Sequence, residues 1–357
     1  MGSASRLRAA AATVAVVSCL AVSAPTAGAT DTSGTIPNAS PVGLRRFTVT
    51  SPPAGRPLEA VVWYPSTGGP TRLAGDNPLF VGEPAAIDAP ISPGSHRLVL
   101  VSHGHGGNLF NQAWLASTLA RAGYVVVAAN HPGTTSTDMR PALGADLGER
   151  RRDLARLVAW LAAEPEWSRA VDARRVALIG HSLGGWTVMA AAGARVDLTR
   201  FRADCRDHPD LIACRIVRDL PIVFDAEASS TPALPAVAAV VTLDLGLARS
   251  FDPASLAAFA PPTLVIAAGT YGPDMDATLE SGYLADNLPR GRTKSVSLEG
   301  AAHFSFLGRC KPGAAERLDA GIPAQGPLCQ DGGADRASVH ARARSLVVDW
   351  LDRHFGD

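Results

Sequence analysis

Arg175-Arg-Val-Ala-Leu-Ile-Gly180-His181-Ser182-Leu183-Gly184-Gly185-Trp186 is the stretch on which the fold turns. Arg175–Ile179 has the aliphatic character of a buried strand, and residues 183–193 are small and apolar, as in a tightly packed helix. Between them stands Gly-x-Ser-x-Gly. That pattern alone recurs by chance in glycine-rich chains; a strand before it and a helix after it give it chemical meaning. A serine on such a sharp turn projects its hydroxyl from the carboxyl edge of a sheet. Gly180 and Gly184 leave room for the backbone crossing. The helix aims its free N–H groups at the place where negative charge would develop during attack on a carbonyl. Ser182 is the candidate nucleophile.

Working outward, the same rhythm continues. Upstream, Leu44–Thr50 and Leu58–Tyr64 read as strands of a hairpin turned by Pro52, Pro53 and Gly55. Residues 65–95, rich in Pro and Gly, read as a long surface excursion. Arg97–Ser102 is a strand, residues 109–122 a helix, and Tyr124–Ala129 a strand. Leu147–Ala163 is an amphipathic helix with Leu147, Leu154, Leu157, Val158 and Leu161 on one side. Downstream, residues 195–235 break the pattern with charges, prolines and two cysteines, and read as an insertion capping the sheet. Val237–Leu243, Thr263–Ala268 and Thr293–Leu298 are strands. Arg336–Phe355 is a closing helix, with Val339, Ala343, Leu346, Val347 and Trp350 inward. Apolar strands alternating with helices predict an α/β fold around a mostly parallel sheet buried on both faces.

The partners of a serine nucleophile follow from that layout. Ser102-His103-Gly104-His105-Gly106-Gly107 runs from a strand into a glycine-rich loop, so the His105 backbone N–H is a candidate oxyanion donor beside that of Leu183. His103 and His105 as a metal pair is the weaker reading, because the glycines favour a backbone role. His303 follows the last strand directly and is the candidate base. His131, in Asn130-His-Pro-Gly133, also stands at a strand end and is a candidate pocket residue, but it precedes the nucleophile. Two places suit the acid. Asp244 ends Val240-Val-Thr-Leu, where a buried carboxylate needs a partner such as a histidine. Asp274 and Asp276 lie one strand later, beyond Gly272 and Pro273. Asp244 is preferred.

The N-terminus carries a targeting signature. Arg6 and Arg8 precede an apolar run over residues 9–22, and Ala27-Gly28-Ala29 suits cleavage, so residues 1–29 are expected to be a secretory signal peptide. A lipoprotein signal through Cys19 fits less well, since apolar residues continue past it. Residues 30–43 are expected to be a flexible leader, and 44–357 one domain with its insertion at 195–235. Removing the signal leaves Cys205, Cys214, Cys310 and Cys329. In an exported chain they suggest disulfides, locally paired as Cys205–Cys214 and Cys310–Cys329. No CxxC motif points to zinc or redox chemistry. The 357 residues hold 33 basic and 33 acidic side chains, so there is no electrostatic footprint for nucleic acid. Apolar residues make up 46%, enough for a large core. No span of the mature chain suits a bilayer. The oligomeric state is not readable.

Together, Ser102–Gly107, Asn130–Gly133, Gly180–Gly185, Leu243-Asp-Leu-Gly246 and Ala302-His-Phe-Ser-Phe306 resemble α/β-hydrolases of the predicted dienelactone hydrolase group and the related platelet-activating factor acetylhydrolases. The resemblance extends from about residue 44 over most of the chain. It implies the α/β-hydrolase fold and a serine ester hydrolase acting on a small-molecule ester, with no metal or organic cofactor. It implies Asp244 as the acid, since the acetylhydrolase acid follows the earlier strand in a Leu-Asp pair, and oxyanion amides at the positions of His105 and Leu183. Dienelactone hydrolases use cysteine where this chain has Ser182, so the group name does not define a substrate. A lipase, amidase or peptidase would carry nearly the same signature. A binding module of the same fold is disfavoured by the intact Ser182 and His303.

Overall fold

Strands β5 (His96–Ser102) and β7 (Val171–His181) run side by side at the centre of the sheet. Leu98–Val101 and Val176–His181 are buried throughout, as expected where helices cover both faces of parallel strands. The side-chain period of two divides them. Leu98, Leu100 and Leu178 join one core cluster, while Val99, Val101 and Ile179 join the other on the opposite face. The computed structural model describes residues 40–50, 56–219, 222–223, 234, 236–272, 275–321 and 327–356. All belong to one compact unit, Ile36–Asp357. The expected signal peptide with Cys19, the leader up to residue 39, the Pro52-Pro53-Gly55 turn and Asp274 lie outside the described residues.

Among the described residues the sheet has ten strands. The others are β1 (Val42–Val49), β2 (Leu58–Pro65), β3 (Thr71–Ala74), β4 (Glu83–Ile87), β6 (Val125–Ala129), β8 (Val237–Leu243), β9 (Thr263–Ala268) and β10 (Thr293–Leu298). Their order is β10-β9-β8-β7-β5-β6-β2-β1-β4-β3. Neighbours from β10 to β6 are parallel, and β2 joins β6 and β1 antiparallel. The last three strands have the bounds expected from sequence. Helices α1 (Ala113–Arg121) and α6 (Arg336–Phe355) cover one face; α2 (Gly148–Ala163) and α3 (Leu183–Ala191) cover the other. This is the α/β-hydrolase fold. Among the described residues no helix is long and apolar enough to cross a membrane.

Two expectations need correction. Residues 65–95 are not merely a loop: β3 and β4 form within them, and β4 pairs parallel with β1. Both are short: β3 is the edge strand and β4 lies beside it, against β1. Pro84, Ala85 and Ala86 in β4 have weak strand character, and β4 pairs with β1 only at Ala86 and Ile87, which leaves Pro84 outside that ladder. The leader also ends sooner than expected, because Val42 and Gly43 already pair with Pro65 and Tyr64.

The insertion contributes α4 (Leu198–Asp207) and α5 (Ile212–Asp219). Asp197 caps α4 by accepting from the Arg200 N–H at 2.9 Å. The Cys205–Cys214 disulfide joins the two helices, and Cys310–Cys329 is the second disulfide.

Candidate active site

The carboxyl ends of β5, β7, β8, β9 and β10 are consecutive in the sheet, and each delivers one part of the site. Ser182 follows β7 with φ 55° and ψ −123°. That conformation is costly for a non-glycine residue, by about 1–3 kcal/mol. The turn is tight enough to exclude side chains around it. A Cβ on Gly180 would lie 2.0 Å from the Gly184 carbonyl oxygen, and one on Gly184 would lie 1.9 Å from that of Ser102. Leu183 opens α3, so its N–H has no intrahelical acceptor. Two more positive-φ residues, Asp244 and Leu247, stand in the loop after β8. Such outliers gather where the surrounding structure dictates them.

His303 begins a short 3-10 turn, His303–Phe306, after β10. Its Nδ1 lies 2.6 Å from Asp244 Oδ2. A carboxylate can only accept, so Nδ1 carries the hydrogen and Nε2 keeps its lone pair. The other Asp244 oxygen accepts from the Ala268 N–H at 2.8 Å and the Tyr271 hydroxyl at 3.0 Å. Burial alone would raise the Asp244 pKa. The His303 ring and the Ala268 N–H outweigh it and hold the carboxyl below its ordinary range. Asp276 is engaged elsewhere, accepting from the Thr278 N–H at 2.7 Å and hydroxyl at 2.6 Å.

The histidine turn is anchored from two sides. His181 is buried, and its Nε2 donates to the His303 carbonyl at 2.9 Å. Burial and the neighbouring His303 push its pKa down to about 3, so it stays neutral. From the closing helix, the His340 Nε2 reaches the carbonyls of Ser305 at 3.0 Å and Leu307 at 2.9 Å. The His340 ring stacks on Trp114 at 3.9 Å, and the Trp114 indole donates to the Phe306 carbonyl at 3.0 Å.

The loop after β5 is shaped by His103. Its Nδ1 donates to the Gly104 carbonyl at 2.7 Å, and its Nε2 accepts from the His131 N–H at 3.1 Å. Both ring nitrogens are therefore occupied, which removes the reading of His103 and His105 as a metal pair. Gly107 N–H also donates to the Gly104 carbonyl, at 3.1 Å. In a trans peptide that carbonyl and the His105 N–H point in opposite directions, so the His105 N–H faces away from these donors.

Ser182, Leu183, His105 and His303 line one cavity of about 570 Å³. Most of its wall is apolar, with Ile212, Ala213 and Ile216 of α5, Leu247, Met275 and Phe304. Asp244 stands behind His303, nearly inaccessible at 1%.

His131 is not part of this wall, contrary to expectation. It is fully buried beneath the loop, where its Nε2 faces the Ser102 hydroxyl at 3.0 Å and its Nδ1 faces Asp153 at 2.9 Å. Arg56 binds the same Asp153 oxygen at 2.9 Å, and Arg156 binds the other at 2.7 Å. Arg150, also buried, donates to the Ser102 hydroxyl, the Thr134 hydroxyl, the Thr187 hydroxyl and the His103 carbonyl. Burial, then the Arg150 charge, push the His131 pKa down to about 4.

Tyr271, His181 and Arg150 have no role in the sequence reading, and His103 enters it only as a possible metal ligand. Two carried a usable signal: Tyr271 lies in the loop after β9, beside the acid's strand, and His181 precedes the serine. Among the described residues, the one cluster of metal-ligand types is Asp204, Cys205 and Cys214, and its two cysteines are joined as a disulfide.

A family model described as alpha/beta hydrolase fold matches residues 97–200. That range spans the loop after β5 and the Ser182 turn. A ferulic acid esterase from Streptomyces cinnamoneus is similar in structure, with a TM-score of 0.59 and 22% identity over 88% of this chain and 90% of that one. No curated protein matches the sequence. Strand order, the strained serine turn and these two likenesses agree: the chain has the α/β-hydrolase fold.

Proposed function

We propose that the protein is an exported serine hydrolase that cleaves carboxylic esters, with Ser182 as nucleophile, His303 as base and Asp244 as the orienting acid. The observation that carries this reading is that Ser182 and His303 line the same cavity, with Asp244 2.6 Å behind the imidazole. His303 Nε2, left with its lone pair, takes the proton from Ser182 as the hydroxyl attacks the ester carbonyl. Asp244 holds Nδ1–H and stabilises the imidazolium. The N–H groups of Leu183 and His105 receive the oxyanion; losing one such donor typically costs about 3–4 kcal/mol. The alcohol leaves with the proton from His303, and water then releases the acyl group from Ser182.

The ferulic acid esterase of similar fold supports ester chemistry, and the Leu243-Asp244 pair supports the acetylhydrolase-like subtype. Two disulfides support an oxidising compartment. The test is a panel of nitrophenyl esters graded by acyl length, beside matched anilides. Ester turnover well above anilide turnover is expected. Anilide or peptide turnover that equals it rejects the reading.

A further inference from the structure

Among the described residues, two carboxyl groups line the cavity, Asp331 and Glu280, while Asp244 is hidden behind His303. Asp331 is occupied, by the Ser305 hydroxyl at 2.7 Å and Arg336 at 2.9 Å. Glu280 is not. It stands in a one-turn wide helix, Thr278–Gly282, 3% exposed, among the residues that line the cavity. Its Oε2 accepts from the Ala248 N–H at 2.7 Å. Its Oε1 has Arg249 as nearest cation, at 3.6 Å, beyond hydrogen-bond reach. The Arg249 guanidinium is turned to Asp204 at 2.6 Å and to the Leu279 carbonyl at 3.0 Å. Among the described residues, Oε1 therefore has no donor.

A carboxyl oxygen without a donor is an expensive feature in a wall built from Leu183, Ile212, Ile216 and Leu247. Burial pushes the Glu280 carboxyl up to about 7, the response of a group short of donors. Apolar cavities with one placed polar group are how proteins choose among similar small molecules. We propose that Glu280 Oε1 accepts a hydrogen bond from a substrate hydroxyl, which makes the site selective for esters that carry a hydroxyl on an otherwise apolar body. This rests on the ester reading above.

The test uses matched esters that differ by one hydroxyl. On the acyl side they are methyl 3-phenylpropanoate and its three ring-hydroxylated isomers. On the alcohol side they are 2-phenylethyl acetate and its three ring-hydroxylated isomers. The quantity read is the ratio of kcat/KM within a pair, from which the fraction of active protein cancels. Assayed at about pH 8.5, above the raised Glu280 titration so that the carboxylate is the acceptor, the hydrogen bond predicts that at least one hydroxylated isomer is favoured about tenfold or more by the wild type. Glu280→Gln keeps an acceptor for the Ala248 N–H but turns an amide NH2 to the cavity, and Glu280→Ala removes the group. Both should bring that ratio to within about threefold of unity. Ratios near unity for every wild-type pair, or a preference that survives in both variants, overturn the proposal while turnover of the plain esters leaves the ester reading standing. Failure to cleave any of the esters overturns both.

Discussion

Among the described residues, Ser102, His131 and Asp153 form a buried group, whereas Ser182 and His303 line a cavity with Asp244 behind them. Ser102, His131 and Asp153 are joined by contacts of 3.0 and 2.9 Å, and the imidazole has the tautomer a general base would need. In the other set, His303 meets Asp244 at 2.6 Å. What separates them is surroundings. Ser182 is forced out of a strand on a positive-φ turn, while Ser102 is the last residue of β5 and keeps its hydroxyl in the core. Arg150 donates to the Ser102 hydroxyl, and Arg56 and Arg156 bind Asp153, so the buried set is tied into an arginine network. The same three residue types thus serve as a brace beneath one loop and as candidate chemistry above it. Access and backbone geometry, rather than residue identity, divide the two roles.

The largest expected effect is at the serines. Ser182→Ala should lower kcat for an activated ester by about 10⁴-fold or more with an unchanged thermal midpoint. Ser102→Ala should do the reverse, leaving turnover within about tenfold while stability falls by about 1–3 kcal/mol, the cost of stranding buried partners. Kinetics and denaturant melts on the two variants break the comparison if their effects coincide.

At the acids, Asp244→Asn should lower kcat by about 10⁴-fold through loss of the imidazole's orientation. Asp153→Asn should instead destabilise by about 1.5–3 kcal/mol, because it removes the buried charge that Arg56 and the His131 ring face, while Glu149 still faces Arg56 and Arg156. Urea melts and ester kinetics separate the two.

The buried set also sets a pH dependence. The His131 pKa is about 4 in the folded protein, against an ordinary 6.5. The unfolded chain therefore binds the proton first. Stability is complete above about pH 6.5 and is lost as pH falls toward 4, by on the order of 3 kcal/mol from this one group. Denaturant melts at pH 7 and 5 should show the slope in the wild type and a smaller one in His131→Gln.

Smaller effects sharpen the picture. Removing Cys310–Cys329, which closes the segment after the His303 turn, should cost about 2–4 kcal/mol of stability. Asp276→Asn, whose carboxyl caps its own turn, should change kcat by less than about tenfold.

The open set was far more legible in the sequence than the buried one. Ser182 and His303 sit at the ends of apolar strands, where periodicity and turn residues reveal position, and Asp244 follows from the same rule. The buried set is assembled from residues far apart in the chain. Arg150 and Asp153 belong to a helix whose leucines mark one side as the core, and charged residues in such a pattern read as its wet face. Both are in fact buried, at 1% and 0% exposure. Their partners Arg56, Ser102 and Thr187 come from three other elements, and only tertiary structure brings them together. Strands β3 and β4 escaped notice for a different reason: β3 is only four residues long, and the proline and alanines of β4 give almost no strand signal.

If Ser182, and not Ser102, is the reactive serine, a fluorophosphonate should mark it alone. The intact protein is reacted with the probe and the adduct located by peptide mapping. One label per chain is expected, on the peptide containing Ser182, and none on Ser182→Ala. A label on Ser102, or an unlabelled wild-type protein that still hydrolyses esters, would contradict it.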